Sequence, residues 1–289
     1  MQLPAPGIRF AILAMVCFAL QDGISRHLAA HYPVPFFVML RYWAFAAFVL
    51  VMATRSAGGL RAAATTKVPV LQVIRGVLLI VQILVFVTAL DLMGLAPMMA
   101  LFALYPLLIT LLAIPVLGER VGWRRFLAVA VGFLGVLMIL RPGVEVFDPA
   151  ALVALLAALG IAAYSLLTRI ATRADGASGP AVFYTGIAGA ATITLIGPFY
   201  WVEMSAPDWG WMALLAVAGL SGHSLLIRAY EQTEAVRLQP FAYLQMVFGV
   251  AIGWTVFDEP IDPWMVLGMA MIIGAGLYAL WREMRASGV

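Results

Sequence analysis

Polar side chains are scarce along the apolar runs of this sequence, and the few that occur are suited to holding a solute. Gln21, Asp22 and Ser25 are spaced to share roughly one face of a helix. Gln82 and Phe86 set an amide and a ring on one face a single turn apart. Phe102, Tyr105 and Thr110 follow, then Tyr164, Ser165 and Thr168, then His223 with Ser224, and last Tyr243 with Gln245. An amino acid needs donors for its carboxylate and acceptors for its ammonium. Amides, hydroxyls, the His223 imidazole and half-helix ends supply both without full charges. An aromatic cargo wants an apolar slot, for which Phe86, Phe102, Tyr164, Tyr243 and Trp43 are candidates.

Each of these residues also has a plainer use. Ser165, Thr110 and Thr168 can bond the carbonyl one turn back in their own helix. Tyr164 and Tyr243 can be packed rings, Gln82 and Gln245 interhelical links, and His223 a fixed hydrogen-bond partner. Asp22 can pair with Arg26 at i+4. Arg41, Arg75 and Arg228 fall too near the span ends to argue for a phosphorylated cargo.

The elements that carry these residues must cross a membrane. Of the 289 residues, 64% are apolar and only 11% charged, against roughly 45–50% and 25% in soluble chains. The mean hydropathy is +1.03. Ten crossings of about 20 residues would use about 200 of the 289 positions, leaving no room for a soluble domain. A net charge of +3 gives no reason to expect nucleic acid. The one cysteine, Cys17, rules out a disulfide framework and a thiolate metal cluster and reads as packing. No metal ligand set or cofactor motif is present. The dinucleotide-like letters at Gly274–Ala279 follow no strand. Neither Gly-x-Ser-x-Gly nor His-Glu-x-x-His occurs, so the sequence does not read as an enzyme.

Charges and turn residues place spans near Ile8–Ala29, Phe36–Thr54, Val70–Leu90, Ala96–Leu117 and Trp123–Leu140. Five more follow near Pro149–Thr172, Gly179–Tyr200, Trp209–Tyr230, Ala235–Phe257 and Pro263–Trp281. One set of ends carries Arg9, Arg55, Arg61, Lys67, Arg120, Arg124, Arg125, Arg169, Arg173, Arg237, Arg282 and Arg285. The opposite ends are acidic at Glu203, Asp208, Asp258, Glu259 and Asp262. The positive-inside rule then puts both termini in the cytoplasm and requires an even number of spans. Trp201, Trp209, Trp211, Trp264 and Trp281 lie at span ends as interface anchors.

A shift of 140 lays Ala89–Glu119 on Ala229–Glu259 without a gap. Each segment has an acid two residues after its Ala, a turn, a long apolar run and a Glu. Five spans per half is an odd number, so the halves lie with opposite topology. The basic loop after span four faces an acidic partner after span nine, as that inversion demands. Inverted repeats belong to secondary transporters. Pro97, Pro106, Pro115 and Pro240 interrupt or abut spans four and nine and predict bends there; Pro106→Ala should then change the transport rate. Gly132, Gly135, Gly268, Gly274 and Gly276 predict close packing of spans five and ten.

This plan resembles the drug/metabolite transporter superfamily. The likeness rests on Leu117-Gly118-Glu119 after span four, Asp258-Glu259 after span nine, Ala89-Leu90, and Arg75-Gly76 opening span three. It covers essentially the whole chain and is narrower toward the EamA-type ten-helix exporters, most of all the bacterial aromatic-amino-acid exporters of the YddG type. The second half departs by reading Asp-Glu-Pro where the first reads Gly-Glu-Arg.

The resemblance implies an all-α integral membrane fold. Ten transmembrane helices form two inverted five-helix repeats, 1–146 and 147–289, around a central cavity lined by spans one to four and six to nine. It implies an exporter of amino acids, aromatic and other neutral ones, and related small metabolites. That exporter works by alternating access in the bacterial inner membrane, among lipid, as a monomer or weak homodimer, without cofactor or metal. The alternative within the superfamily is a multidrug exporter of quaternary cations. The expected substrate-binding residues are Gln21, Trp43, Gln82, Phe86, Phe102, Tyr105, Tyr164, His223, Ser224, Tyr243 and Gln245.

Overall fold

Alanine and leucine divide the surface of one long helix between them. In Pro149–Asp175, Ala150, Ala151, Ala154, Ala157, Ala158 and Ala162 are buried, while Leu152, Leu156 and Leu159 are exposed. The alanines recur at helical spacing and let neighbouring backbones approach, and the leucines face outward, the pattern expected where the surroundings are as apolar as the interior. The computed structural model describes residues 6–56, 58–118, 123–140, 149–176, 179–233 and 238–286.

Twelve α-helices follow one another in the described residues. They are α1 (Pro6–Ala29), α2 (Val34–Arg55), α3 (Gly59–Ala64), α4 (Pro69–Met93), α5 (Leu95–Phe102) and α6 (Tyr105–Leu117), then α7 (Trp123–Leu140), α8 (Pro149–Asp175), α9 (Gly179–Thr194), α10 (Ala206–Gln232), α11 (Tyr243–Val256) and α12 (Pro263–Ala286). Short 3₁₀ turns at Gly197–Tyr200 and Gln239–Ala242 precede α10 and α11, and no strand occurs among these residues. Seven helical stretches are long and apolar enough to cross a membrane, counting α5 and α6 as one, and Phe126–Leu140 and Pro240–Val256 are shorter apolar helices. The protein is a multi-pass membrane protein.

Several sequence expectations sit differently in the structure. The short α3 interrupts the loop between the second and third spans. The fourth span is two helices, with the break at Ala103–Leu104 upstream of Pro106. Proline has no N–H to offer the carbonyl of Phe102, so α6 starts afresh with Pro106 in its first turn. The ninth span breaks too, a 3₁₀ turn holding Pro240 giving way to α11 at Tyr243. Under the shift of 140, Ala103 and Tyr243 coincide, so the two breaks share a register although the prolines do not. Pro106→Ala is expected to let the fourth span run on as one helix and to change the flux of reconstituted protein by severalfold at equal expression. Unaltered flux would exclude a mechanical role for the break.

Helix partners follow a rule. The contacts of α1 with α10, of α4 with α9 and of α1 with α11 each have a counterpart when the two halves are exchanged. The counterparts are α8 with α4, α10 with α2, and α8 with α5 and α6. The pairs α2–α9, α5–α11 and α7–α12 map onto themselves. At the α7–α12 crossing, a Cβ on Gly135 would meet the carbonyl oxygen of Gly268 at 2.6 Å, and one on Gly268 would meet that of Gly135 at 2.5 Å. Close approach there requires glycine on both sides. Gly132 lies on Leu107 and Gly276 on the hydroxyl of Tyr243, whereas a Cβ added at Gly274 would meet open space. The five anchor tryptophans are all exposed. Glu119, Arg120, Arg141 and Arg237 lie outside the described residues.

Candidate functional site

The interior of the bundle holds charged groups where α1, α2, α10 and α11 converge. Asp22 of α1 is buried, with 4% of its surface exposed. The Gln245 amide of α11 donates to its Oδ2 at 2.7 Å. Arg41 of α2 lies within electrostatic reach of both Asp22 and His223 of α10. The His223 ring packs edge-on against Phe18 at 5.1 Å and at a tilt against Phe45 at 5.2 Å. Its side chain is exposed, although helices α1 and α2 each set a ring against it. The Gln21 amide oxygen abuts Gly219, one turn before His223 on α10.

The expected Asp22–Arg26 pair does not form. Arg26 instead reaches Glu259 at 3.6 Å and Asp91 at 3.9 Å, both distant in sequence. With Arg26 drawn away, Asp22 turns to Gln245. Arg41 was set aside from sequence as too near a span end, but α2 begins at Val34, so Arg41 lies about two turns inside it.

The aromatic candidates form a file along one side. Phe86 and Phe102 cross at 4.8 Å, and Phe102 meets Tyr105 at 5.2 Å. Tyr243 lies close to Tyr105, but its hydroxyl is buried without a partner, against Gly276 of α12. Gln82 bonds the Ala157 carbonyl at 3.4 Å and packs on Gly160, which makes it an interhelical link. Ser224, Ser165, Thr110 and Thr168 all bond the carbonyl one turn back. Trp43 is 42% exposed at the edge of α2, with its indole N–H on Thr194 of α9 at 2.9 Å. The structure thus gathers Gln21, His223 and Gln245 about Asp22, strings Phe86, Phe102 and Tyr105 together, and leaves Trp43 apart.

Tyr164 belongs to another cluster, centred on a residue the sequence argument underrated. Arg75 of α4 is 1% exposed and the largest fully buried side chain. Its guanidinium donates to Gln72 Oε1 (2.6 Å), the Ala181 carbonyl (2.7 Å), Thr185 Oγ1 (2.8 Å), Tyr164 OH (3.0 Å) and Thr168 Oγ1 (3.1 Å). All five acceptors are neutral. Gln72 passes the link on to Asp175 at 2.8 Å, which also accepts from the Thr66 hydroxyl and the Lys67 backbone N–H. The cluster joins α4 to α8 and α9 at the basic ends of the helices. The signal for it was in plain view, since Arg75 stands a turn and a half into an apolar run.

The opposite ends have their own tie. Glu259, just past α11, accepts from the backbone N–H groups of Leu95 (2.8 Å) and Ala96 (2.6 Å) at the start of α5. Nearby, Asp208 accepts from Tyr32 OH at 2.7 Å and Ser205 Oγ at 2.6 Å, which fastens the α1–α2 turn to α10.

Polar and charged groups inside an apolar bundle, with hydrogen-bonded ties at both ends, suit a membrane carrier. The sequence profile of the EamA-like transporter family matches residues 5–141 and again 148–281. The chain is similar to the S-adenosylmethionine uptake transporter of Rickettsia prowazekii, at 27% identity over 97% of this chain and 94% of that one. It is 30% identical to the riboflavin transporter of Rhizobium johnstonii, over 96% and 92%. It is 25% identical to the pseudopaline exporter of Pseudomonas aeruginosa, over 93% and 94%. A crystal structure shares the fold with a TM-score of 0.63 at 18% identity, over 96% of this chain and 98% of that one. None of these relatives' names gives an aromatic amino acid as cargo, so they support the family and not the narrower likeness to aromatic-amino-acid exporters. The cargoes named are small molecules and the directions differ. With the family profile matched across both parts of its length, the chain belongs to the EamA-like transporter family and is a transporter of small molecules, not an enzyme.

Proposed function

We propose that the protein exports amino acids, aromatic and other neutral ones among them, and related small metabolites across the bacterial inner membrane by alternating access. The observation that carries this reading is the gathering of Asp22, Arg41, His223 and Gln245 where α1 and α2 from the first part of the chain meet α10 and α11 from the second. Two inverted five-span repeats, 1–146 and 147–289, with both termini cytoplasmic, are the frame we assign to it. Support comes from the exchange rule among helix partners, the shared register of the broken spans and the tandem profile matches. The halves would rock about these residues, as a monomer or weak homodimer. Export of quaternary cations is the second reading, favoured by Asp22 standing free of Arg26 one helical turn from Phe18, whose ring meets His223.

The test is flux into proteoliposomes of labelled phenylalanine, tryptophan, S-adenosylmethionine and riboflavin, alongside a cationic dye, with and without an imposed pH gradient. Flux of the amino acids down their own gradient supports the reading and a facilitated mechanism. Movement of the dye with no flux of any amino acid transfers the protein to the second reading. His223→Ala is expected to weaken apparent affinity about tenfold, near 1.4 kcal/mol. Gln82→Ala should act through stability, because its amide links α4 to α8.

A further inference from the structure

Phe18 and Phe45 both meet the ring of His223 and stand one turn from Asp22 on α1 and from Arg41 on α2, which brings the two charged groups within electrostatic reach, yet they form no ion pair among the described residues. Asp22 is held by the Gln245 amide at 2.7 Å and by the Gln21 side chain. Arg41 donates no hydrogen bond among the described residues, and its guanidinium only approaches the Tyr42 ring, at 6.0 Å. A charge at membrane depth is costly unless something complementary meets it. These two groups therefore call for a solute that meets both.

We propose that Asp22 and Arg41 together clamp the head group of a zwitterion. The Arg41 fork takes the carboxylate and Asp22 the neighbouring ammonium of an α-amino acid. This inference rests on the transport reading above and narrows its substrate class. Gln245 holds the carboxylate of Asp22 in place. His223, wedged between Phe18 and Phe45, is the wall next to the clamp. A monoanion in this site would leave Asp22 unmatched, and a monocation would leave Arg41 unmatched. Discrimination then comes as much from the unmet charge as from the attraction. Arg suits the carboxylate side because its planar fork can meet both oxygens.

The experiment uses matched probes on the detergent-purified full chain. L-phenylalanine is compared with phenethylamine and 3-phenylpropionate, and L-tryptophan with tryptamine and indole-3-propionate, by calorimetric titration. The zwitterions are expected to bind about 100-fold more tightly than either singly charged counterpart. Arg41→Gln should move the preference toward the amines, and Asp22→Asn toward the acids. If either variant fails to fold, the wild-type probe series decides alone. Equal binding of amino acid, amine and acid overturns the clamp, as does binding of the amines or acids alone. Flux of riboflavin in proteoliposomes, with no amino acid binding, sinks the clamp but leaves the transporter reading standing. Amino-acid binding without amino-acid flux keeps the clamp and fails the export reading, and absence of both fails the two together.

Discussion

Arg75→Ala is expected to destabilise the protein by about 3–5 kcal/mol, because five neutral acceptors lose their shared charged donor and a large cavity is left in its place. The side chain is fully enclosed, and its five bonds reach α4, α8 and α9 at once. Its loss would leave Gln72 Oε1 buried without a donor and take one of two donors from the Ala181 carbonyl, which Thr185 Oγ1 still meets. The threonines fare better, since Thr168 and Thr185 also donate to carbonyls one turn back. Arg75→Lys keeps the charge but not the fork, and should recover less than half of the loss. Thermal unfolding in detergent and hydrogen exchange along α9 read this out. A melting temperature unchanged in Arg75→Ala would show that the cluster carries no net stability. The same cluster fastens the basic ends of the helices. A variant that folds but has lost the latch should therefore open more readily on that side, which solvent accessibility of cysteines introduced along α9 would report.

Glu259→Ala is the second large effect, expected at about 1–2 kcal/mol from the lost cap and the lost charge at a helix start. The carboxylate meets two backbone N–H groups of α5 and one face of Arg26, so three groups lose their partner together. Room for it is made at Gly94. The φ of Gly94 is +87°, and an added Cβ would lie 2.5 Å from Glu259 Oε1. Gly94→Ala should thus mimic the loss by evicting the carboxylate, with backbone strain added. Faster hydrogen exchange at the Leu95 and Ala96 amides is the specific sign expected of both variants. Protection at those amides equal to wild type in Glu259→Ala would mean that another group caps α5.

What could be read from the sequence divides along physical lines. Long apolar runs and their charged ends depend only on neighbours in the chain. The bounds of α7, Trp123–Leu140, were accordingly expected as found. Back-bonding of Ser165, Thr110 and Thr168 is equally local, and all three do it. Faces are another matter, since a run apolar all round gives no moment to orient it. Trp43 and Tyr42 are adjacent and equally plausible, yet only Tyr42 turns inward, where Gly189 of α9 leaves room for its ring. The Asp22–Arg26 expectation failed for the same reason in reverse. An i,i+4 pair is visible in sequence, but the acids that draw Arg26 away come from positions 91 and 259. Arg41 and Arg75 were discounted because distance from a span end is a poor guide to burial. A guanidinium a turn or two inside can be wholly enclosed when three helices meet there.

The division of α8 between buried alanine and exposed leucine has a consequence for how its codons tolerate change. In a soluble helix the large apolar positions are the intolerant ones. Here the ranking should invert across a saturation library. Leu152, Leu156 and Leu159 should accept Ile, Phe or Met with little loss. Ala154, Ala157 and Ala158 should reject even valine, because each added methyl must displace a neighbouring backbone. Genetic drift along this helix would then run through its biggest residues and leave its smallest ones fixed.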